Sequence, residues 1–141
     1  RSTLFPYTTL FRSPYSAELF ERADDRMNIA QVAIDRPAEV SPDKLAARFI
    51  DSEYVASDIT YDALRRRANQ FANLLQKLEI APGCVVTSLL GRCPELFTTV
   101  LGSLKSGAVF SPLFSAFGPE PIRSRLELSG AAVLVTTLRM Y

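Results

Sequence analysis

Between Thr60 and Glu79, apolar residues recur at Leu64, Ala68, Phe71, Leu75 and Leu78, at spacings of four, three, four and three. That is the stripe of an amphipathic helix lying on a core. Thr60 stands where an N-cap belongs, and Asp62 falls in the first turn, where negative charge suits the helix dipole. Ala81-Pro82-Gly83 is the expected stop. Burying the four large side chains of the stripe would contribute roughly 6–12 kcal/mol before chain entropy is subtracted.

Past Gly83 the period changes. Val85 to Leu90 reads as a strand, and Pro94 opens a helix through Lys105 with Leu96, Phe97, Val100, Leu101 and Leu104 inward. Ser106-Gly107 closes that helix, and Ala108 to Leu113 is a second strand. A further helix starts at Pro119 or Pro121 and ends near Gly130, before a strand over Ala132 to Thr137. Strand, helix, strand, helix, strand with short links predicts an α/β fold, a mostly parallel sheet flanked by helices. The continuous apolar strands fit burial on both faces. Upstream, residues 14–59 read as an irregular segment with short helices and edge strands. Asn28 caps a short helix with Ile29, Val32 and Ala33 on one side, ended by Pro37; Ala38 to Lys44 is a loop. Ala47 to Asp51 and Tyr54 to Ile59 form a hairpin.

Residues 1–13, Arg-Ser-Thr-Leu-Phe-Pro-Tyr-Thr-Thr-Leu-Phe-Arg-Ser, show neither a helical nor a strand period, and Thr-Leu-Phe occurs twice. Thr3 through Ser13 resemble the conceptual translation of a DNA-sequencing adapter, so this segment is expected to be non-native. A secretory signal fits less well, since Pro6 breaks the apolar stretch and no small-residue cleavage site follows. Setting aside Arg1 and Arg12 leaves 14 basic against 15 acidic residues, a net of −1 in place of +1. The basic lean disappears, and with it any charge argument for nucleic acid or anionic lipid. No apolar run approaches the roughly 20 residues that span a bilayer.

The 141 residues contain no histidine, which removes the usual general base and every Ser-His-Asp or Cys-His arrangement. Cys84 and Cys93 lack CxxC spacing, so neither builds a zinc site; reduced thiols in a cytosolic protein are expected. Arg65-Arg66-Arg67 suggests a phosphate patch, but successive helical residues lie about 100° apart, so the three fan round a solvated face. Gly91-Arg92-Cys93-Pro94-Glu95 lies where a strand meets a helix N-terminus, a place that suits an anion. It lacks any nucleotide-loop pattern and reads first as a tight turn. Phe114-Ser115-Ala116-Phe117-Gly118-Pro119 opens onto the carboxyl end of the sheet. There, small residues between two aromatics let a ligand approach the backbone, or simply let the turn pack under its helix.

Several phrases together resemble the adenylate-forming acyl-CoA synthetases, most closely the acetate–CoA ligase branch. They are Asn28-Ile29-Ala30, Ala33-Ile34-Asp35-Arg36, Thr60-Tyr61-Asp62-Ala63-Leu64, Asn69-Gln70-Phe71-Ala72-Asn73, Pro94-Glu95-Leu96 and Leu104-Lys105-Ser106-Gly107-Ala108. Ser111 through Glu120, with Arg125-Leu126-Glu127 and Val135-Thr136-Thr137, is the most specific. The likeness covers roughly Asn28 to Tyr141, and residues 60–141 would be the incomplete βαβ part of the AMP-binding N-terminal domain.

The resemblance implies a parent that couples a carboxylate to CoA through an acyl-adenylate, using ATP, Mg2+ and CoA, with acetate or a short-chain acid as substrate. It implies that the phosphate loop, nucleotide motifs and catalytic lysine follow Tyr141. No catalytic residue and no metal ligand is then expected in this piece, which would be inactive alone and bind no cofactor tightly. It also implies a CoA-proximal position for Ser115 and Ala116, where related enzymes carry two glycines. A fatty-acyl or other carboxylate ligase of the same superfamily is the first alternative. A non-catalytic α/β binding module, from another functional class, is the second.

Overall fold

The structure, a computed structural model, describes residues 28–51 and 53–138. The adapter-like segment and the stretch up to Met27 lie outside the described residues. Helical backbone begins at Ile29 and passes through a π-helical segment, Gln31–Asp35, into α1 (Arg36–Val40). An antiparallel hairpin follows, β1 (Leu45–Ile50) and β2 (Ala56–Thr60). Then come α2 (Tyr61–Lys77), β3 (Val85–Leu89), α3 (Pro94–Lys105), β4 (Val109–Pro112), α4 (Pro119–Ser129) and β5 (Ala131–Thr136).

The parallel sheet has the order β4-β3-β5, with β3 central. The chain leaves β3 toward β4 and then crosses back over β3 to reach β5. Right-handed crossovers in opposite directions put their helices on opposite faces. Side-chain alternation agrees. Val86, Val133 and Val135 pack with Leu75 and Phe71 of α2, whereas Leu89, Leu134 and Thr136 face Ile122 and Leu126 of α4. The expected α/β architecture is present, with every pairing in this sheet parallel.

The α2 stripe is largely as predicted. Thr60 Oγ1 accepts from the Ala63 amide at 3.3 Å, and Leu64, Ala68 and Leu75 are buried. Leu78 departs from it, being 56 % exposed, because the helix ends one residue earlier. The stop also differs. Glu79 takes the left-handed conformation (φ 57°), with its amide donating to Gln76 and the Ile80 amide donating to Leu75, both at 3.0 Å. These two bonds close a Schellman cap, and Ile80 packs onto the Leu75 cluster as such caps require. Gly83 is a later turn (φ 85°).

The inward face of α3 is the main correction. Thr99, Gly102 and Ser103 are buried, while Phe97 is 44 % exposed and Leu96, Val100, Leu101 and Leu104 are half-buried. The cause is how close α2 comes. A Cβ on Gly102 would stand 2.7 Å from the Ala68 carbonyl oxygen and 2.8 Å from Phe71 Cδ1. Large side chains cannot fit between helices at that separation, so they ring the contact instead. Thr99 satisfies its hydroxyl by donating to the Glu95 carbonyl at 2.8 Å. Phe97 meets Phe49 of the hairpin edge-on, with centroids 5.3 Å apart.

Pro37 does not end the first helix. It sits in the first turn of α1, where a missing N–H is tolerated, just after the π turn. The face toward the core is Ala30, Ile34 and Ala38, not Ile29, Val32 and Ala33, and Ala38 to Val40 are helical rather than loop. The hairpin forms as expected, with Ala47 opposite Ile59 and Arg48 opposite Asp58. Arg48 Nε and Nη2 donate to the two Asp58 carboxylate oxygens at 2.6 and 2.7 Å. The hydrogen bonds of that fork, opposed by desolvation, hold the Asp58 carboxyl below its ordinary value.

Two stability outcomes follow. Glu79→Gly removes a side chain from a left-handed position and should stabilise the chain by about 0.5–1 kcal/mol, seen as a higher urea midpoint. Gly102→Ala drives a methyl into the Ala68 carbonyl and should destabilise it by about 1–3 kcal/mol in the same measurement.

Candidate functional site

Parallel α/β sheets offer ligands the crevice at the carboxyl ends of their strands. Here that rim is built from the link between β3 and α3 and the link between β4 and α4. In the second, the Phe117 amide donates to the Phe114 carbonyl at 3.0 Å, closing a turn whose two central residues are Ser115 and Ala116. Both are exposed. The Phe114 and Phe117 rings meet edge-on at 5.6 Å, and the Arg125 guanidinium of α4 lies 4.2 Å from the Phe117 centroid. Phe117 therefore anchors the turn to α4 through a cation–π contact, while Phe114 stays 64 % exposed. The result is a small-residue backbone platform flanked by one open aromatic ring and one guanidinium. Such a surface suits a ligand with a flat base and negative charge.

The first link is tighter. Cys93 is the N-cap of α3 in extended conformation, and its amide donates to the Gly91 carbonyl at 3.0 Å. Arg92 is exposed on this rim and Glu95 occupies the first turn. Desolvation is the main cause that pushes the Cys93 thiol above its usual value, and the Glu95 carboxylate adds to it. The amide of Leu96 works the other way but does not prevail. Cys84 and Cys93 are both free and half-buried, as reduced thiols.

The three arginines of α2 form no free cationic patch, since two of them meet on one carboxylate. Arg65 and Arg66 pair with Asp62 at 2.6 and 3.0 Å, so the one acid neutralises part of the run. Among the described residues no group of three or more His, Cys, Asp or Glu side chains comes together to hold a metal. No described helix is long and apolar enough to cross a membrane.

Two features escaped sequence reasoning. A groove of about 440 Å³ runs between α4 and the sheet, lined by Leu89, Ile122, Leu126, Leu134 and Thr136 among others, and by neither Ser115 nor Ala116. It exists because α4 buries no residue fully. The other is a set of buried hydroxyls, Thr87 and Ser88 of β3, Ser103 and Thr136, which have no described hydrogen-bond partner. In a strand that reads as uniformly apolar, two adjacent hydroxyl residues were the available signal.

A doubly covered parallel sheet with an open loop rim at its carboxyl edge is a doubly wound α/β arrangement, whose ligands bind in the crevice at that rim. Residues 34–140 match the family of AMP-binding enzymes, and the chain belongs to that family. It is 34% identical over 113 residues to the acetyl-coenzyme A synthetase of Bacillus subtilis, covering 79% of this chain and 20% of that one. It is also 34% identical over 106 residues to a linear gramicidin synthase of Brevibacillus parabrevis, covering 75% of this chain and 1% of that one. The crystal structure of an acyl-CoA synthetase from Brucella canis superposes with a TM-score of 0.76 at 36% identity, over 82% of this chain and 21% of that one. The chain thus spans about a fifth of the length of the acetyl-coenzyme A synthetase it matches. The expected resemblance to the acetate–CoA ligase branch holds.

Because the Cys93 thiol is raised, its alkylation by iodoacetamide should climb at higher pH than that of free cysteine. Glu95→Gln removes the second cause and should move the rate profile back toward lower pH.

Proposed function

We propose that this lobe belongs to an ATP-dependent acid–thiol ligase that joins acetate, or another short-chain carboxylate, to CoA through an acyl-adenylate. A carboxylate oxygen attacks the α-phosphorus of ATP and pyrophosphate leaves; the CoA sulfur then attacks the acyl carbon and AMP leaves. Both steps demand positioning and charge neutralisation more than a histidine base, which suits a histidine-free lobe. The single observation that carries the reading is the exposed Ser115-Ala116 turn at the carboxyl rim, in a chain whose relatives include acetyl-coenzyme A synthetases.

In this reading Ser115 and Ala116 let the coenzyme approach the backbone. Phe114 offers a stacking face, and Arg125 fixes the turn from behind while adding positive charge. None of the described residues is assigned to Mg2+, to the ATP phosphates or to a catalytic role; those parts belong to the rest of the polypeptide. The 141-residue chain by itself is expected to form no acetyl-CoA. A different carboxylate is the second reading, supported by the equal identity to the linear gramicidin synthase.

The test uses the whole enzyme carrying this lobe. Acetate should drive pyrophosphate exchange into ATP and, with CoA, release AMP; exchange driven instead by a long-chain or amino acid would select the second reading. Ala116→Trp should raise KM for CoA by about tenfold, roughly 1.4 kcal/mol, and leave acetate-dependent exchange unchanged. An unchanged KM for CoA removes Ser115 and Ala116 from the coenzyme site.

A further inference from the structure

At the opposite, amino end of the sheet, four polar side chains from three separate elements converge on the last turn of α3. Lys105 Nζ donates to Asp35 Oδ1 of the π-helical segment and to Asn69 Oδ1 of α2, both at 2.5 Å. Asn28 Nδ2 donates back to the carbonyls of Leu104 at 2.8 Å and Lys105 at 3.4 Å. Those carbonyls belong to the group every helix leaves unpaired at its end. The lysine side chain is only 10% exposed and the Asp35 side chain 25%. Segment 28–40 is therefore held from both ends of one residue, through the Lys105 ammonium and through its carbonyl.

Its apolar grip is slight by comparison. Ala30, Ile34 and Ala38 are its buried residues, two methyl groups and one larger side chain. Only Ile34 joins the first core cluster, against Ile59, Leu64 and Ala68. Burial of one isoleucine and two alanines has to offset the ordering of thirteen residues, five of them in a π turn.

We infer that residues 28–40 form a strap closed over the α2–α3 pair by the Asn28–Asp35–Asn69–Lys105 latch, and that breaking the latch releases the strap as a unit while the parallel sheet stays folded. Release leaves Asp35 without its cation and takes the Asn28 amide from the Leu104 carbonyl, which keeps the Gly107 amide as donor. It also uncovers Leu64 and Ala68, the apolar seat of Ile34.

Hydrogen exchange read by mass spectrometry on the 141-residue chain tests this. Lys105→Met keeps the aliphatic stem and removes the ammonium. It should speed exchange across 29–40 at least about tenfold while amides of β3 and β5 stay within about twofold of wild type. Acceleration spread equally into β3 and β5, or no acceleration in 29–40, overturns the strap. Should Lys105→Met fail to fold, Asn28→Asp decides, since it keeps the Oδ1 that accepts from the Ala30 amide and removes only the Nδ2 donor to the Leu104 and Lys105 carbonyls. The same local acceleration supports the latch, and unchanged exchange in 29–40 defeats it.

Discussion

The rest of the molecule depends on how closely α2 and α3 approach at Gly102. A glycine facing the Ala68 carbonyl lets two helices meet nearly backbone to backbone, with Thr99 and Ser103 continuing the small face. Three residues on, the same approach sets Lys105 within reach of Asn69. On the sheet side it places Leu75 and Phe71 over Val86 and Val135. On the other side it presents Phe97 to Phe49 and so attaches the hairpin. Three different layers take their positions from one missing side chain.

What the sequence made legible was periodic, and what it hid was contact between elements. Leu64, Ala68 and Leu75 sit at helical spacing on a helix whose cap residue is chemically explicit, so α2 and its buried line could be read directly. The order of strands and helices from Val85 to Thr136 followed from turns and short links in the same way. The inward face of α3 could not be read by the same rule. Hydrophobicity pointed to Leu96, Phe97 and Val100, but the partner helix selects for small size, a property of the pair that one helix does not display. Glu79 shows a similar limit: a charged residue rarely marks a left-handed cap, and it serves here because Ile80 packs firmly behind it. Pro37 misled because a proline normally ends a helix, whereas here it opens a new turn after a π segment. Topology put Ser115 and Ala116 at the carboxyl rim of the sheet, while the Phe117–Arg125 contact that fixes their turn joins residues whose meeting no local pattern announces.

The phrases that carried the family resemblance divide into two spatial groups. Ser111 to Glu120 runs from the end of β4 through its rim turn into the first turn of α4, at the carboxyl end of the sheet. Asn28, Asp35, Asn69 and Lys105 lie together at the far, amino end, on α3's last turn and its neighbours. The second group gathers residues scattered over 78 positions of sequence, from Asn28 to Lys105, into one architectural contact. Resemblance alone does not distinguish these; their positions relative to strand direction do.

The forked Arg48–Asp58 pair on the hairpin has an effect on how molecules behave in company. A two-stranded ladder has two open sides, each able to recruit a strand from a neighbouring molecule and begin a fibre. A charged rung in mid-ladder makes such stacking unfavourable, since every added copy must accommodate a guanidinium and a carboxylate beside its own. Protonating Asp58 would weaken that guard. Because the hydrogen bonds from Arg48 hold the carboxyl below its ordinary value, the guard persists into more acidic solution than a lone aspartate would allow. A surface pair of little value to folding thereby keeps the middle of the hairpin charged at lower pH than a lone aspartate would.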